Sequence, residues 1–119
     1  MAKNHKQLRR ERIRRGMRER IRGTAERPRL CVFRSHSTIY AQAIDDKTGR
    51  TLAAASSRQA EIGDVKGTPT SRSKAAGTLM AERLKSAGVE TVIFDRNTYR
   101  YHGRVKALAE GVREGGIKF

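Results

Sequence analysis

The sequence predicts an α/β domain, with a mixed sheet flanked by helices, preceded by a basic N-terminal arm. Three short apolar segments joined by turns are followed by a helix, a strand and a second helix, in the order βββαβα. Charge is uneven, because residues 1–29 carry a net charge of +9 and residues 30–119 carry +6. We therefore expect a basic arm over residues 1–26 and one globular domain over residues 27–119.

The arm is rich in arginine and poor in apolar residues. Ile13, Met17 and Ile21 are spaced four apart, which predicts a helix over residues 7–22 with one narrow apolar stripe. Like charges crowd its other faces, so we expect order where phosphates screen them. Arginine binds a phosphate with two hydrogen bonds and stacks on bases. The predicted RNA-binding residues of the arm are Arg9, Arg10, Arg12, Arg14, Arg15, Arg18, Arg20 and Arg22.

The globular domain opens with three predicted strands, over residues 30–34, 39–45 and 51–56. They contain apolar, β-branched and aromatic residues, and the second strand alternates between apolar and polar positions. The connections between them are short, and Asp-Lys-Thr-Gly at residues 46–49 is a typical turn. The three strands therefore predict an antiparallel meander, and a loop is expected over residues 62–70.

The second half of the domain contains two predicted helices around one strand. Ser71 or Ser73 is expected to cap the first helix, which should run to about residue 87 and end at Gly88. Residues 89–94 are apolar enough for a strand buried on both faces, and residues 104–113 form the second helix, ended by two glycines. The residues expected to face the core are Ala76, Leu79, Met80, Leu84, Ala87, Val105, Leu108, Ala109 and Val112.

A cluster of aromatic and cationic residues follows the last predicted strand, over residues 95–104. It lies at the carboxyl end of that strand, where α/β sheets place their ligands. Tyrosines beside arginines are suited to stacking on unpaired bases while the cations bind the backbone, although either ring could instead pack in the core. The start of the following helix favours a phosphate. The predicted RNA-binding residues here are Arg96, Tyr99, Arg100, Tyr101, His102 and Arg104.

The tip of the first hairpin is a weaker candidate. It offers one cation and several hydroxyl groups, but turns rich in Ser and Thr are common for backbone reasons. The predicted RNA-binding residues at this tip are Arg34, Ser35, His36 and Ser37.

Catalytic and metal-binding functions have little support in the sequence. Cys31 lies in an apolar strand and is expected to be a small buried residue, and the three histidines lack metal-site spacing. A metal-dependent nuclease remains an alternative, because three carboxylates lie at strand ends: Asp45, Asp46 and Asp95. A turn explains the first two more simply, and an arginine partner explains the third. We expect no catalysis, no cofactor, no metal and no small-molecule substrate.

The overall charge favours a nucleic acid partner. A net charge of +15 in 119 residues repels itself unless a polyanion neutralises it. Alternatives for the arm are a solubilising tail, a membrane-surface helix and a mitochondrial transit peptide, and its three glutamates argue against the last. A single cysteine suits the reducing cytoplasm, and we expect neither a secretory signal nor a membrane partner.

Several segments carry a family resemblance, in collinear order over nearly the whole chain. They are RPRL at 27–30, VFRS at 32–35, IYAQ at 39–42, IDD at 44–46, LAAASS at 52–57, FDR at 94–96, Tyr99, YHGRVKALA at 101–109 and GGIKF at 115–119. In these segments the sequence resembles the bacterial form of large-subunit ribosomal protein eighteen, a family of ribosomal proteins that bind 5S rRNA.

The resemblance implies a ribonuclease-H-like arrangement without catalysis, in a structural constituent of the large subunit of the cytoplasmic ribosome. It implies binding to 5S rRNA and attachment of that RNA to large-subunit rRNA in the central protuberance, together with neighbouring 5S-associated ribosomal proteins. It also implies that the arm, the first hairpin tip and the loop over residues 95–104 face RNA. A free-standing RNA-binding or chaperone-like module is the alternative function.

Two positions depart from the family pattern. The hairpin tip often carries a lysine in relatives, and here it reads His36-Ser37-Thr38, which puts one phosphate contact in doubt. A glycine usually follows the Asp-Arg pair, and here that position is Asn97. Because asparagine tolerates a left-handed backbone better than most residues, we expect the turn to survive.

Overall fold

The computed structural model describes residues 4–20, 22–36, 38–58, 69–97 and 99–119, and within residues 13–20 it describes the backbone. The elements follow the predicted order after the helix of the arm. They are α1 (His5–Arg20), β1 (Arg29–Arg34), β2 (Ile39–Asp45), β3 (Arg50–Ser56), α2 (Pro69–Ser86), β4 (Ile93–Asp95) and α3 (Gly103–Glu114).

The four strands form one mixed sheet in the order β3-β2-β1-β4. β1 and β2 pair antiparallel, as do β2 and β3, with an irregularity between Ala43 and Ile44. β4 pairs parallel to β1, with Arg29 opposite Ile93. The predicted meander and mixed α/β sheet are therefore confirmed.

The core lies between α2, α3 and one face of the sheet. Strand residues alternate, so that every second side chain of β1 and β2 points into this core. Helix α3 presents the four apolar residues that the sequence assigned to the core. The largest buried apolar side chains are Leu30, Val32, Ile39, Met80, Leu84, Val92, Val105, Leu108 and Val112.

Glycines bring α2 and α3 into close contact. A Cβ atom on Gly77 would overlap the carbonyl group of Leu108, and one on Gly111 would overlap the carbonyl oxygen of Lys74. The two backbones therefore approach more closely than any side chain at these positions would allow. This contact fixes α3, and with it the position of the loop that precedes α3.

Helix α2 begins earlier than the sequence predicted. It starts at Pro69, a residue favoured in the first turn because it lacks an N–H group to satisfy there. Ser71 and Ser73 both lie inside the helix, and the Ser73 hydroxyl donates to the Pro69 carbonyl oxygen at 2.8 Å. The expected serine cap is therefore wrong. Of the loop predicted over residues 62–70, the last two residues belong to α2, and residues 62–68 lie outside the described part.

The carboxyl ends of both helices depend on glycines, as predicted. Gly88 follows α2 with φ +79°, and Gly116 follows α3 with φ +96°. This left-handed backbone costs glycine little and lets the chain reverse direction. Ala87 lies beyond the last turn of α2 and is exposed, so its assignment to the core is wrong.

Strand β4 is shorter than predicted and lies at the edge of the sheet. Val92 is buried, but Ile93 and Phe94 are only half-buried, so the expected burial on both faces is wrong. The preceding residues pair with the C-terminal segment instead of β1. Thr91 forms a parallel bridge with Lys118 there.

The arm contains one helix, α1, which begins two residues before the predicted start. Asn4 and Gln7 form a reciprocal cap: Asn4 Oδ1 accepts the Gln7 N–H at 2.8 Å, and Gln7 Oε1 accepts the Asn4 N–H at 3.2 Å. The side chains of the predicted stripe, Ile13, Met17 and Ile21, lie outside the described part. The boundary between arm and domain at residue 27 remains a prediction.

Candidate RNA-binding surface

The parallel pairing of β1 and β4 brings two predicted clusters to one edge of the sheet. Cys31 lies opposite Asp95, so both strands run in the same direction and end on the same side. The hairpin tip, residues 34–38, follows β1, and the loop over residues 95–104 follows β4. We call the described residues of these two segments the two-loop surface.

Side-chain contacts hold the two loops together. The Tyr99 hydroxyl accepts the Arg34 N–H and donates to the Arg34 carbonyl oxygen, both at 3.1 Å. The Arg34 guanidinium lies 5.2 Å from the centre of the Tyr99 ring. Arg104 donates from Nη1 to the His36 carbonyl oxygen at 3.2 Å. The hairpin tip and the second loop therefore form one continuous surface.

The two tyrosines of the second loop have different environments. Tyr99 is half-buried, packs against the core and satisfies its hydroxyl with the backbone of Arg34. Tyr101 is 39 % exposed, and its ring meets Phe94 edge-on at 6.3 Å. Because its ring is the more exposed of the two, Tyr101 is the better candidate for stacking on a base.

The turn after β4 shows how the domain accommodates Asn97. Its φ is +63°, the left-handed conformation that glycine adopts most easily. Its N–H donates to Asp95 Oδ1 at 2.9 Å, and both residues are buried. The expectation that the turn survives without glycine is confirmed. Arg96, just before it, is exposed, as are Arg100 and His102.

The hairpin tip is closed by hydrogen bonds between Ser35 and Thr38. The Ser35 N–H donates to the Thr38 carbonyl oxygen at 2.8 Å, and the Ser35 hydroxyl lies 3.2 Å from both backbone groups of Thr38. The hydroxyl of Ser35 thus stabilises the turn, and His36 is exposed at the tip. Ser37, also predicted to bind RNA, lies outside the described part.

The amino-terminal end of α3 is part of the two-loop surface, which includes His102, Gly103 and Arg104. His102 precedes the helix in an extended conformation and makes no side-chain hydrogen bond to its first turn. The N–H groups of a first turn carry partial positive charge and favour a phosphate. This end therefore adds to the cationic character of the surface, beside Arg104.

A buried arginine, Arg29, anchors the start of the second loop through ion pairs. Arg29 Nη1 lies 2.8 Å from Asp95 Oδ2, while its Nε and Nη2 donate to the two oxygens of Asp46 at 3.0 and 3.1 Å. Hydrogen bonds from Arg29 to Asp46 raise its pKa; burial opposes this, and the bond to Asp95 adds to it. Because the pKa of Arg29 is raised in the folded protein, its ion pairs contribute fully to the free energy of unfolding at neutral pH. This contribution persists until the pH rises beyond the ordinary pKa of arginine.

The same network anchors the chain that leads from the arm. The Gly23 N–H donates to Asp46 Oδ2 at 2.6 Å, and the Asp46 N–H donates to the Gly23 carbonyl oxygen at 3.0 Å. The sequence did not predict this role for Arg29 or Asp46. The only signal was an arginine at the start of an apolar strand, a position that requires an acidic partner when buried.

The carboxylates that left a nuclease open have other roles. Asp46 and Asp95 bind Arg29, and Asp45 accepts from the Lys47 N–H and the Thr48 hydroxyl at 3.0 Å each. A turn and an arginine partner therefore account for all three, as the simpler interpretation expected. Among the described residues, no three His, Cys, Asp or Glu side chains are grouped to hold a metal ion.

Within the part of the chain that the structure describes, none of the helices has both the length and the apolar character required to span a bilayer.

Two further predictions concern side chains outside the two-loop surface. Cys31 is only half-buried, on the sheet face opposite the helices, so the expectation of a small buried residue is wrong. In the arm, Arg9, Arg10, Arg12 and Arg22 are exposed, consistent with contacts to a polyanion. The side chains of Arg14, Arg15, Arg18 and Arg20 lie outside the described part.

Comparison with known proteins identifies the family. The model of the family described as ribosomal L18 of archaea, bacteria, mitochondria and chloroplast matches residues 1–119. The chain belongs to this family. L18 proteins are ribosomal proteins with a structural role and are not enzymes, so the expectations of a cytoplasmic ribosomal protein without catalysis are confirmed.

Several curated L18 relatives share about half of the sequence. A protein of Chloroherpeton thalassium is 54% identical over 120 residues, and one of Chlorobaculum tepidum is 52% identical over 119 residues; both alignments cover 100% of each chain. A protein of Solibacter usitatus is 54% identical over 110 residues, 92% of each chain. All three are named large ribosomal subunit protein uL18.

Proposed function

We propose that this L18 protein is a structural constituent of the large ribosomal subunit that binds 5S rRNA through the arm and the two-loop surface. It helps to attach 5S rRNA to the large-subunit rRNA in the central protuberance, beside neighbouring 5S-associated ribosomal proteins. The observation that carries the proposal is the joining of two sequence clusters into one surface that combines exposed cations, an exposed tyrosine ring and a helix amino terminus.

The chemistry of this surface suits folded RNA. Unpaired bases stack on aromatic rings, and Arg guanidinium groups bind the phosphates between them. Tyr101 supplies such a ring, and Arg96, Arg100 and Arg104 supply cations on the same loop. Because the loops are held by Arg34, Tyr99 and the α2–α3 contact, the surface is preorganised, which favours shape-selective binding over general attraction to any polyanion.

Selectivity for 5S rRNA provides the direct test. The protein should bind 5S rRNA more tightly than transfer RNA at the same salt concentration, because a fixed surface distinguishes shape and charge alone does not. Competition binding with both RNAs measures this preference. Equal affinity for the two RNAs would show that the protein binds RNA by charge alone, without the proposed specificity for 5S rRNA. It would favour the free-standing RNA-binding module.

Substitution of Tyr101 tests the stacking contact. Tyr101→Ala should weaken binding to 5S rRNA about tenfold, within the 1–3 kcal/mol that one stacked base contributes. Thermal unfolding should change little, because the ring is substantially exposed. Tyr101→Phe keeps the ring and is the matched control, which should bind normally.

Tyr99 should behave differently from Tyr101 in the same experiment. Tyr99→Ala removes core packing and the hydroxyl bridge to Arg34, and should therefore lower the melting temperature. Normal binding and normal melting of the Tyr101→Ala protein would exclude stacking by Tyr101, and the same result for both alanine variants would exclude stacking by this loop.

A further inference from the structure

Two aromatic side chains lie on the face of the sheet opposite the core. Phe33 is 57 % exposed and Tyr40 is 38 % exposed. They occupy directly opposed positions on β1 and β2, with ring centres 6.3 Å apart and planes tilted by 49°. At this tilt neither ring covers the other in a parallel stack, so ring surface remains accessible to a ligand.

The neighbours of this pair on the same face are uncharged. Gln42 and Ser56 are its neighbours on the same face, one along β2 and one across on β3. In strands β1 to β3 the one carboxylate is that of Asp45, which is buried in the turn network. An anionic ligand therefore meets no exposed acidic side chain on these strands.

Cations lie at the same end of the sheet. Arg34 directly follows Phe33 and belongs to the two-loop surface, and exposed Arg58 lies just beyond the end of β3, near Ser56. Ser56, the last residue of β3, pairs with Tyr40, so Arg58 lies two residues beyond the position opposite Tyr40. The pair is therefore continuous with the hairpin tip and is flanked by positive charge.

We infer that Phe33 and Tyr40 form a platform on which unpaired bases of ribosomal RNA stack, an inference that rests on the proposed function. Exposed aromatic residues on adjacent strands are an effective arrangement for holding two or three bases on a sheet. The platform extends the RNA-binding surface from the edge of the sheet onto its open face. Arg58 is placed to bind a phosphate of the stacked nucleotides, while the Arg34 guanidinium lies against Tyr99 and joins the platform to the two-loop surface.

The composition of the exposed surface favours RNA over a protein partner. Among the described residues the exposed large apolar side chains are Leu8 in the arm and three aromatic rings, Phe33, Tyr40 and Tyr101. The buried centre of a protein interface requires a broader apolar surface. One pair of rings among polar residues offers little area for that, but each ring is large enough for one base.

Four substitutions test the platform in the full-length protein. Phe33→Ala and Tyr40→Ala should each weaken binding to 5S rRNA about tenfold, the effect of losing one stacked base. Phe33→Leu keeps apolar bulk without a ring and should weaken binding almost as much as Phe33→Ala. Tyr40→Phe keeps the ring and should bind normally. The melting temperature and the salt dependence should stay unchanged, because the rings are exposed and uncharged.

Two RNA probes separate failure of the platform from failure of the proposed function. Binding is measured to 5S rRNA and to a single-stranded oligoadenylate, which offers bases without a 5S shape. If the wild-type protein binds 5S rRNA no better than transfer RNA, the proposed function fails; the oligoadenylate affinities of the Phe33 and Tyr40 variants still test stacking. Thr51→Ala, an exposed position at the other end of β3, is the control and should have no effect.

Three results would overturn the inference. One is unchanged affinity of both alanine variants for both RNAs. Another is wild-type binding by Phe33→Leu, which would indicate apolar contact without stacking. The third is unchanged RNA affinity combined with failure of the Phe33→Ala protein to enter large-subunit particles, which would assign the face to a protein partner.

Discussion

Replacing residues 1–22 with a single Met should lower the affinity for 5S rRNA and make it much less dependent on salt. The deleted segment contains ten Lys and Arg and two Glu. Each phosphate contact contributes about 0.7–0.9 to the slope of log affinity against log salt, so losing four contacts should flatten that slope by about 3. Affinity measured at several salt concentrations for full-length and truncated protein gives both quantities.

The truncation keeps Gly23 in a peptide bond, so its hydrogen bonds with Asp46 remain. Thermal unfolding of the domain should therefore change little, and selectivity for 5S rRNA should survive on the two-loop surface. An unchanged salt slope would show that the arm makes no RNA contacts. A truncated protein that binds all RNAs alike would place the specificity in the arm.

A charge-matched pair of variants isolates the role of the arm arginines. Replacing Arg9, Arg10, Arg12 and Arg22 with Gln removes four exposed cations and should reproduce the loss of slope. Replacing the same four residues with Lys keeps the charge and should keep the slope. The Lys variant should still bind more weakly, because lysine cannot bind a phosphate through two parallel hydrogen bonds.

Replacing Arg29 with Met should lower the free energy of unfolding by about 3–5 kcal/mol, a large part of the stability of a small domain. The Arg29 and Asp95 side chains are only 8% and 5% exposed, so removing one partner leaves an uncompensated buried charge. Asp46 would lose two further hydrogen bonds. Chemical denaturation of the wild-type and Arg29→Met proteins measures the difference.

An exposed ion pair provides the matched control for Arg29. Lys74 Nζ lies 3.1 Å from Glu114 Oε1, but both side chains are about half exposed. Lys74→Ala should therefore cost no more than about 1 kcal/mol. Adding Asp95→Asn to Arg29→Met removes the buried charge and should restore part of the stability. A loss for Arg29→Met as small as that for Lys74→Ala would contradict the role of Arg29.

The fold was predictable wherever it depends on local pattern. Alternating apolar residues predicted β2 with its observed bounds, and Gly88 and Gly116 end their helices because each adopts a positive φ. The start of α2 was mispredicted because a serine inside a helix also bonds backward to a carbonyl group, as Ser73 does with Pro69. The length of β4 depends on competition between β1 and the segment around Lys118, a long-range effect invisible in local pattern.

The candidate surface was only partly predictable, because its assembly also depends on long-range contacts. Clusters of arginine and tyrosine identified both loops, but their junction depends on the parallel register of β1 with β4. The different environments of Tyr99 and Tyr101 depend on a hydroxyl bridge to Arg34, which no spacing reveals. Phe33 was predicted to lie in a strand, but the side of the sheet on which it lies was not predicted. Alternation from Leu30 and Val32 indicates that it points away from the core.

The parallel pairing of β1 with β4 also sets the order of events during synthesis. Residues 29–31 of β1 cannot form their parallel pairing until residues 93–95 of β4 have been synthesised. Closing this part of the sheet therefore requires a long loop, which slows folding. The arm leaves the exit tunnel long before that closure. Its arginines are thus available to RNA while the loop after β4 is still unformed, so early encounters are governed by charge and later ones by shape.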